Sequence, residues 1–300
     1  MKVVHTIQEV REWRKECKGS TGFVPTMGCL HAGHGSLIKQ SRLDNDYTAV
    51  SIFVNPSQFA PTEDLDQYPR TLPADIDLLE QLGVDLLFAP NANEMYPQGI
   101  PLNVEDQRGP FVTVLGVSEM LEGSTRPNFF RGVATVVAKL LNIVTPTVAY
   151  FGQKDIQQFI VLDTMVRQLF INTRLQMMPI QRDSQGLALS SRNKYLCQES
   201  LTIASNLYKG LQRGCQMIQD SPNVISANDV KNVISEMWFP HLAQGDFKID
   251  YLSIAHLQTL TELSKIEAKR DHKIVISCAV YVKDRKQPTV TVRLIDNIIL

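Results

Sequence analysis

The chain has 300 residues, 44% of them apolar and 20% charged, and its 30 Lys and Arg nearly balance 31 Asp and Glu for a formal net charge of −1. That composition supports a sizeable core and, at about 150 residues per domain, roughly two domains; it gives no basis for a general nucleic-acid or polyanion binder. Five scattered cysteines (Cys17, Cys29, Cys197, Cys215, Cys278) without a Cys-x-x-Cys spacing argue against a disulfide framework or zinc knuckle. With no signal-peptide-like start and no apolar run near the roughly 20 residues of a membrane span, the expectation is a soluble, cytoplasmic protein.

The first informative stretch runs from Gly22-Phe23-Val24 through Pro25-Thr26-Met27-Gly28-Cys29-Leu30-His31-Ala32-Gly33-His34-Gly35-Ser36 to Leu37-Ile38. It reads as a strand, a glycine-punctuated turn and a helix start. Unpaired N–H groups at such a helix start attract anions, and Gly28, Gly33 and Gly35 permit close backbone approach. His31 and His34 are spaced to share a helix face. A zinc site would need further ligands at recognisable spacing, and none is seen, so no protein-bound metal is expected.

Residues 47–54 form an apolar, β-branched run, as in a strand buried on both faces. Residues 75–82 read as helix, 84–89 as strand, 132–144 as helix, 148–151 as strand, 156–170 as helix and 174–178 as strand. This alternation predicts an α/β fold, a Rossmann-like, doubly wound parallel sheet, over residues 1–185. Past Asn193 the pattern changes to helices at 199–218 and 226–237, then strands at 247–254, 273–282 and 289–300. Residues 186–300 are therefore expected to form a smaller α+β domain, a lid hinged near Ser190-Ser191-Arg192. Residues 220–223 and 265–272 read as surface loops, and His256, Asp271 and His272 as surface residues.

Polar motifs follow four predicted strands, where open α/β sheets bind ligands. They are the His-Gly turn, Asn55-Pro56-Ser57-Gln58, Gly152-Gln153-Lys154-Asp155, and Leu189-Ser190-Ser191-Arg192-Asn193. Each alone has a structural reading: Asn55-Pro56-Ser57 starts a turn, Asp155 caps a helix, Ser190 and Ser191 cap another. Together they make chemical sense. Lys154 and Arg192 supply positive charge for a polyphosphate, the serines and glycine N–H groups add neutral donors, and the histidines oppose developing charge. Gln58, with Gln157 or Gln158, suits a small hydroxylated substrate. Neither a Walker A sequence nor Gly-x-Gly-x-x-Gly occurs, so adenylyl transfer fits better than P-loop or dinucleotide chemistry.

His-x-Gly-His with a later Lys-Met-Ser-Lys-Ser-like loop resembles the nucleotidyltransferase superfamily that includes class I aminoacyl-tRNA synthetases. Within it, Pro25-Thr26-Met27-Gly28, Phe53-Val54-Asn55-Pro56, Phe59, Tyr68-Pro69-Arg70-Thr71, Gly152 to Gln158 and Leu189 to Asn193 are similar to the pantoate–β-alanine ligases (pantothenate synthetases), in their fungal branch. The resemblance implies condensation of pantoate with β-alanine through a pantoyl adenylate, releasing AMP and pyrophosphate from ATP used with Mg2+. It implies ATP contacts from Met27, Gly28, His31, His34, Gly152, Gln153, Lys154, Asp155, Gln181 (through its backbone), Leu189, Ser190, Ser191 and Arg192, the last four in a mobile closing loop. His34 matches a proton donor; His31, Lys154 and Arg192 complete the catalytic set; Gln58, Gln158 and Asn55 match the substrate site. Gln153 stands where many bacterial members have Glu, Phe129 where they have His, and Leu189 where Met is frequent. The family implies a homodimer with small-molecule substrates, and neither nucleic acid nor membrane as partner. Another adenylyltransferase of the superfamily is the alternative, and Gln58 and Gln158 speak against it because neutral amides suit pantoate's hydroxyls better than a nucleotide phosphate.

Overall fold

The computed structural model describes residues 1–60, 65, 68–267 and 273–300; the surface assignment of Asp271 and His272 lies outside them. The described chain divides into two compact units, one made of Met1–Gln153 with Gln157–Pro179, the other of Lys154–Ile156 with Ile180–Leu300. Among the described residues no helix is long and apolar enough to cross a membrane.

The first unit opens with β1 (Lys2–Val4) and α1 (Ile7–Glu16), followed by β2 (Thr21–Thr26), α2 (Ala32–Asp44) and β3 (Tyr47–Ile52). Next come α3 (Leu72–Gln81), β4 (Leu86–Phe88), the one-turn helices α4 (Ala92–Met95) and α5 (Glu122–Thr125), and α6 (Phe129–Val144). It ends with β5 (Val148–Gly152), α7 (Ile156–Gln168) and β6 (Arg174–Met178). Six strands make one sheet in the order β1-β4-β3-β2-β5-β6, every neighbouring pair parallel. Side chains alternate across a strand. Val24, Val50, Leu87 and Tyr150 therefore meet Leu37 and Ile38 of α2 and Leu79 of α3. Their neighbours Phe23, Ala49, Leu86 and Phe88, also buried, point to the other face. Strand order reverses between β2 and β5, the place where such sheets bind ligands beyond their carboxyl ends.

The second unit contains α8 (Gln198–Ala204), α9 (Asn206–Asp220), β7 (Ile225–Ser226), α10 (Ala227–Ala243), β8 (Phe247–His256), β9 (Lys265–Ile266), β10 (Ile274–Lys283) and β11 (Thr291–Ile299). Strands β11-β10-β8 form an antiparallel sheet. Its Ile254, Ile276 and Val280 share a core with Leu207, Leu211, Ile234 and Trp238 of α9 and α10. Buried Trp238 directs its indole N–H to the carbonyl of Asn206 at 2.9 Å, as an enclosed indole requires.

Several local expectations change. β1 and α1 lie outside the expected elements, although Thr6 and Glu9 form a capping box, with Glu9 Oε2 accepting from the Thr6 N–H at 2.9 Å. α3 starts three residues before the expected position, with Pro73 in its first turn where no N–H is needed. The single helix expected over 199–218 is two. Ser205 Oγ donates to the Thr202 carbonyl at 2.7 Å and Asn206 Nδ2 to the Ile203 carbonyl at 3.0 Å, ending α8 by taking its last acceptors. α10 continues past the expected residue 237 and includes Pro240. Lys265 and Ile266 are not surface loop: β9 pairs with β7, and Ile266 is buried.

Candidate active site

At the exit of β2 the chain turns through positive φ twice, 82° at Gly28 and 52° at Cys29. Glycine tolerates that region and cysteine does not favour it. Asp75, 3% exposed on α3, secures the turn: one carboxylate oxygen accepts from the Cys29 N–H at 2.9 Å and the other from the Leu30 N–H at 2.8 Å. Thr71 Oγ1 adds a third donor to the same carboxylate at 3.1 Å.

The turn delivers His31 as the N-cap of α2, in extended conformation, so the two histidines do not share a helical face as expected. They meet instead through a reciprocal cap. His31 Nδ1 accepts from the Gly33 N–H at 3.1 Å, and His34 Nδ1 accepts from the His31 N–H at 3.3 Å. The rings lie 4.2 Å apart, centroid to centroid. A main-chain N–H is an obligate donor, so both Nδ1 atoms are acceptors and each neutral ring carries its proton on Nε2. The pair can offer two N–H donors at a helix N-terminus, where an anion is favoured.

Beyond β3, Asn55 caps a short 3-10 turn, Pro56–Gln58, and is 1% exposed. Its Oδ1 accepts from Tyr96 OH at 2.8 Å and from Ser57, while Nδ2 donates to the Gly132 carbonyl at 3.2 Å and to Gln58 Oε1 at 3.1 Å. Asn55 is thus spent on internal bonds and fixes the orientation of the Gln58 amide. Gln58 Nε2 in turn lies 3.1 Å from Met27 Sδ, joining the exits of β2 and β3. α6 approaches this turn so closely that a Cβ on Gly132 would stand 2.2 Å from the Ser57 carbonyl oxygen. Phe129 lies under the Arg126 guanidinium at 3.9 Å; Arg126 also donates to the Gln58 carbonyl at 3.4 Å.

Gln157 and Gln158 sit in different surroundings. Gln157 is buried, its Oε1 accepting from the Glu122 N–H at 3.0 Å and its Nε2 donating to the Met120 and Val117 carbonyls at 2.8 and 3.1 Å. Gln158 is only half-buried. Among the described residues, apart from its two chain neighbours, none comes within 4 Å of where a Cβ on Gly152, at the end of β5, would stand, and Gln153 follows it in a 3-10 turn.

The remaining residues belong to the second unit. Lys154 Nζ is 4.0 Å from Asp155, and the Lys154 carbonyl accepts from Asn297 Nδ2 at 3.1 Å. Gln181 begins a hairpin in which its carbonyl accepts from the Leu189 N–H at 2.9 Å. Ser190 caps the following 3-10 turn, accepting from the Arg192 N–H at 3.2 Å, so its structural reading holds. Ser191 is half-buried and Arg192 exposed. Among the described residues no group of three or more His, Cys, Asp or Glu is arranged to hold a metal ion.

A model of the family described as pantoate-beta-alanine ligase matches residues 2–299. The chain belongs to the pantoate–β-alanine ligase family. It is 62% identical to the pantoate–β-alanine ligase of Saccharomyces cerevisiae over 309 aligned positions, covering all of both chains. A pantothenate synthetase of Fervidobacterium nodosum is 45% identical, covering all of this chain and 99% of the other. The crystal structure of pantothenate synthetase from Thermus thermophilus superposes with a TM-score of 0.84 at 38% identity, covering 99% of each chain. That of the Francisella tularensis pantoate–β-alanine ligase, complexed with beta-gamma ATP and beta-alanine, has a TM-score of 0.74 at 34% identity, covering 99% of this chain and 97% of the other. The expected α/β fold, a six-stranded parallel sheet accompanied by small antiparallel sheets, is the fold of these ligase-family structures.

Sequence reasoning missed Asp75, Tyr96, Gly132 and Asn297. None lies in a motif with local chemical meaning; each matters through a partner at least 41 residues away.

Proposed function

We propose that this chain condenses pantoate with β-alanine to pantothenate, using ATP and passing through pantoyl adenylate. The observation that carries the proposal is the reciprocal cap of His31 and His34, which fixes two Nε2–H donors at a helix start, in a chain related along its whole length to pantoate–β-alanine ligases. A pantoate carboxylate oxygen attacks the α-phosphorus of ATP, the bond from α-phosphorus to the bridging oxygen breaks, and pyrophosphate leaves with the electron pair. The β-alanine amine then attacks the acyl carbon, the bond from that carbon to the phosphate oxygen breaks, and AMP leaves as the amine gives up a proton.

Neither step requires a side-chain nucleophile, so positioning and electrostatics carry the catalysis. In this reading His31 and His34 donate to the phosphates as charge shifts toward pyrophosphate. Lys154 and Arg192 add fixed positive charge, and Ser190, Ser191 and the amides near Met27, Gly28 and Leu189 add neutral donors. Gly152, Gln153 and Asp155 serve the nucleoside, and Gln181 meets adenine through its backbone. Gln58 and Gln158 hold pantoate, with Asn55 setting the Gln58 amide. Magnesium enters as part of the MgATP substrate, held mainly by phosphate oxygens, as this ion prefers. Residues 1–185 bind nucleotide and pantoate in this proposal, residues 186–300 bring the Ser-Ser-Arg donors, and the enzyme is a cytoplasmic homodimer.

Product analysis with ATP, magnesium and pantoate, with and without β-alanine, tests the reading. AMP and pantothenate in equal amounts, sustained only when both acids are present, are expected. Pyrophosphate release that depends on a nucleotide acceptor would favour another adenylyltransferase. No ATP consumption under any pairing would overturn ligase activity.

A further inference from the structure

Two consecutive polar residues, Asp296 and Asn297, lie near the end of β11 and are 4% and 1% exposed. Consecutive strand residues face opposite sides, and polar groups so enclosed need partners. Asp296 receives both arms of the Arg182 guanidinium, each at 2.7 Å, and the Asn297 N–H at 2.7 Å. Asn297 Nδ2 donates to the Lys154 carbonyl at 3.1 Å.

Arg182 is itself the base of a hairpin. It bridges to Ala188, its guanidinium reaches the Gly186 carbonyl at 3.0 Å, and its plane lies 3.5 Å over the Tyr208 ring. Asn193 Nδ2 donates to the Ala188 carbonyl at 3.1 Å, so the turn bearing Ser190, Ser191 and Arg192 closes onto the hairpin base. That turn also packs against β11. Three stretches far apart in sequence, at residues 154–156, 181–193 and 296–297, therefore converge within the second unit.

We infer that Arg182, Asp296 and Asn297 are positioning residues that hold the Lys154 and Ser190-Ser191-Arg192 segments in fixed register for nucleotide phosphates, an inference that rests on the proposed ligase reading. Stability alone would not call for this chemistry, since a buried ion pair is replaceable by apolar residues of similar volume with little loss. A bidentate fork adds a fixed orientation that an apolar contact lacks. It sets the hairpin along β11, while the Asn297 amide sets the peptide from which the Lys154 side chain springs.

The test is steady-state kinetics on the full chain with Asn297→Ala, Arg182→Lys, and the paired apolar change Arg182→Met with Asp296→Leu, each checked by thermal melting. Asn297→Ala and the apolar pair should raise the ATP KM and lower kcat by about tenfold or more, with the pantoate KM within about twofold of wild type. Arg182→Lys, which keeps charge without the fork, should fall between wild type and the apolar pair. The apolar pair should melt close to wild type, so a folding defect and a positioning defect separate. A wild-type ATP KM and kcat in both Asn297→Ala and the apolar pair would overturn the inference, as would equal losses for ATP and pantoate that track melting temperature. A wild-type enzyme that makes no pantothenate would instead overturn the ligase reading on which it rests.

Discussion

The main-chain N–H of His31 donates to Nδ1 of His34 at 3.3 Å, so the two histidines cap the start of α2 and orient one another. Their remaining nitrogens are both Nε2, the position that carries the proton in each neutral ring. Side-chain 15N spectra of the free protein are expected to show the Nε2–H tautomer for both neutral rings. An Nδ1–H signature at His34 would contradict the reciprocal cap.

The same geometry selects a substitution that separates capping from chemistry. Asn in place of His34 retains an acceptor near the Nδ1 position and lacks anything at Nε2. His34→Asn should fold with a wild-type melting curve and lose about 10²–10³ in kcat, the usual cost of deleting a donor to developing negative charge. ATP KM should change little. A rise in ATP KM at constant kcat would assign His34 to ground-state binding.

Asn55 Nδ2 occupies Gln58 Oε1 at 3.1 Å, which turns the N–H end of the Gln58 amide toward Met27 Sδ at 3.1 Å. Gln58→Glu replaces that donor with a carboxylate oxygen facing a carboxylate substrate. The pantoate KM is expected to rise by at least about tenfold, equivalent to about 1.4 kcal/mol, while the ATP KM stays near wild type. An unchanged pantoate KM would remove Gln58 from the acid site.

Asp75 accepts from the successive N–H groups of Cys29 and Leu30 at 2.9 and 2.8 Å. Asn at this position has one acceptor where two are needed and turns its own N–H toward a donor. Asp75→Asn should cost about 2 kcal/mol in urea unfolding, within the range for hydrogen bonds to a charged group, and should slow pantothenate formation by loosening the turn that delivers His31. Wild-type stability together with wild-type kcat would show that the turn holds without the carboxylate.

Asp284, 2% exposed in the second unit, accepts from the Cys197 and Gln287 N–H groups at 2.6 and 2.7 Å. These donors, led by Cys197, pull its carboxyl down from the ordinary 3.8 to about 2. A depressed carboxyl stabilises the fold above its unfolded value and loses that contribution as pH falls from about 4 toward 2. Urea midpoints of wild type and Asp284→Asn should therefore differ most above pH about 4 and converge as pH nears 2. A gap that is constant across this range would show that the effect is not ionisation-linked.

Much of the candidate site is legible where chemistry is written locally. The His-x-Gly-His turn, the Asn-Pro-Ser-Gln turn and the Gly-Gln-Lys-Asp run each carry their donors within a few residues, and each follows a largely buried strand. What the motifs left ambiguous was role. Gln157 and Gln158 are chemically identical and adjacent, yet only Gln157 is enclosed, with its amide bonded to Glu122, Val117 and Met120. Asn55 matched a substrate contact by position, but its amide is directed inward to Gly132, Ser57 and Tyr96. Ser205 and Asn206 look compatible with one long helix until their side chains take carbonyls of the preceding turn.

The sequence by itself determined the alternation of strands and helices, the parallel sheet and the family, because periodicity and contiguous motifs are properties of neighbouring residues. Tertiary structure alone decided which polar groups meet. Asp75 reaches the His-bearing turn across 45 residues and Asn297 reaches Lys154 across 143, through bonds that exist only once the chain has folded back on itself. It also decided the protonated nitrogen of each histidine, since that follows from where the N–H groups of Gly33 and His31 point.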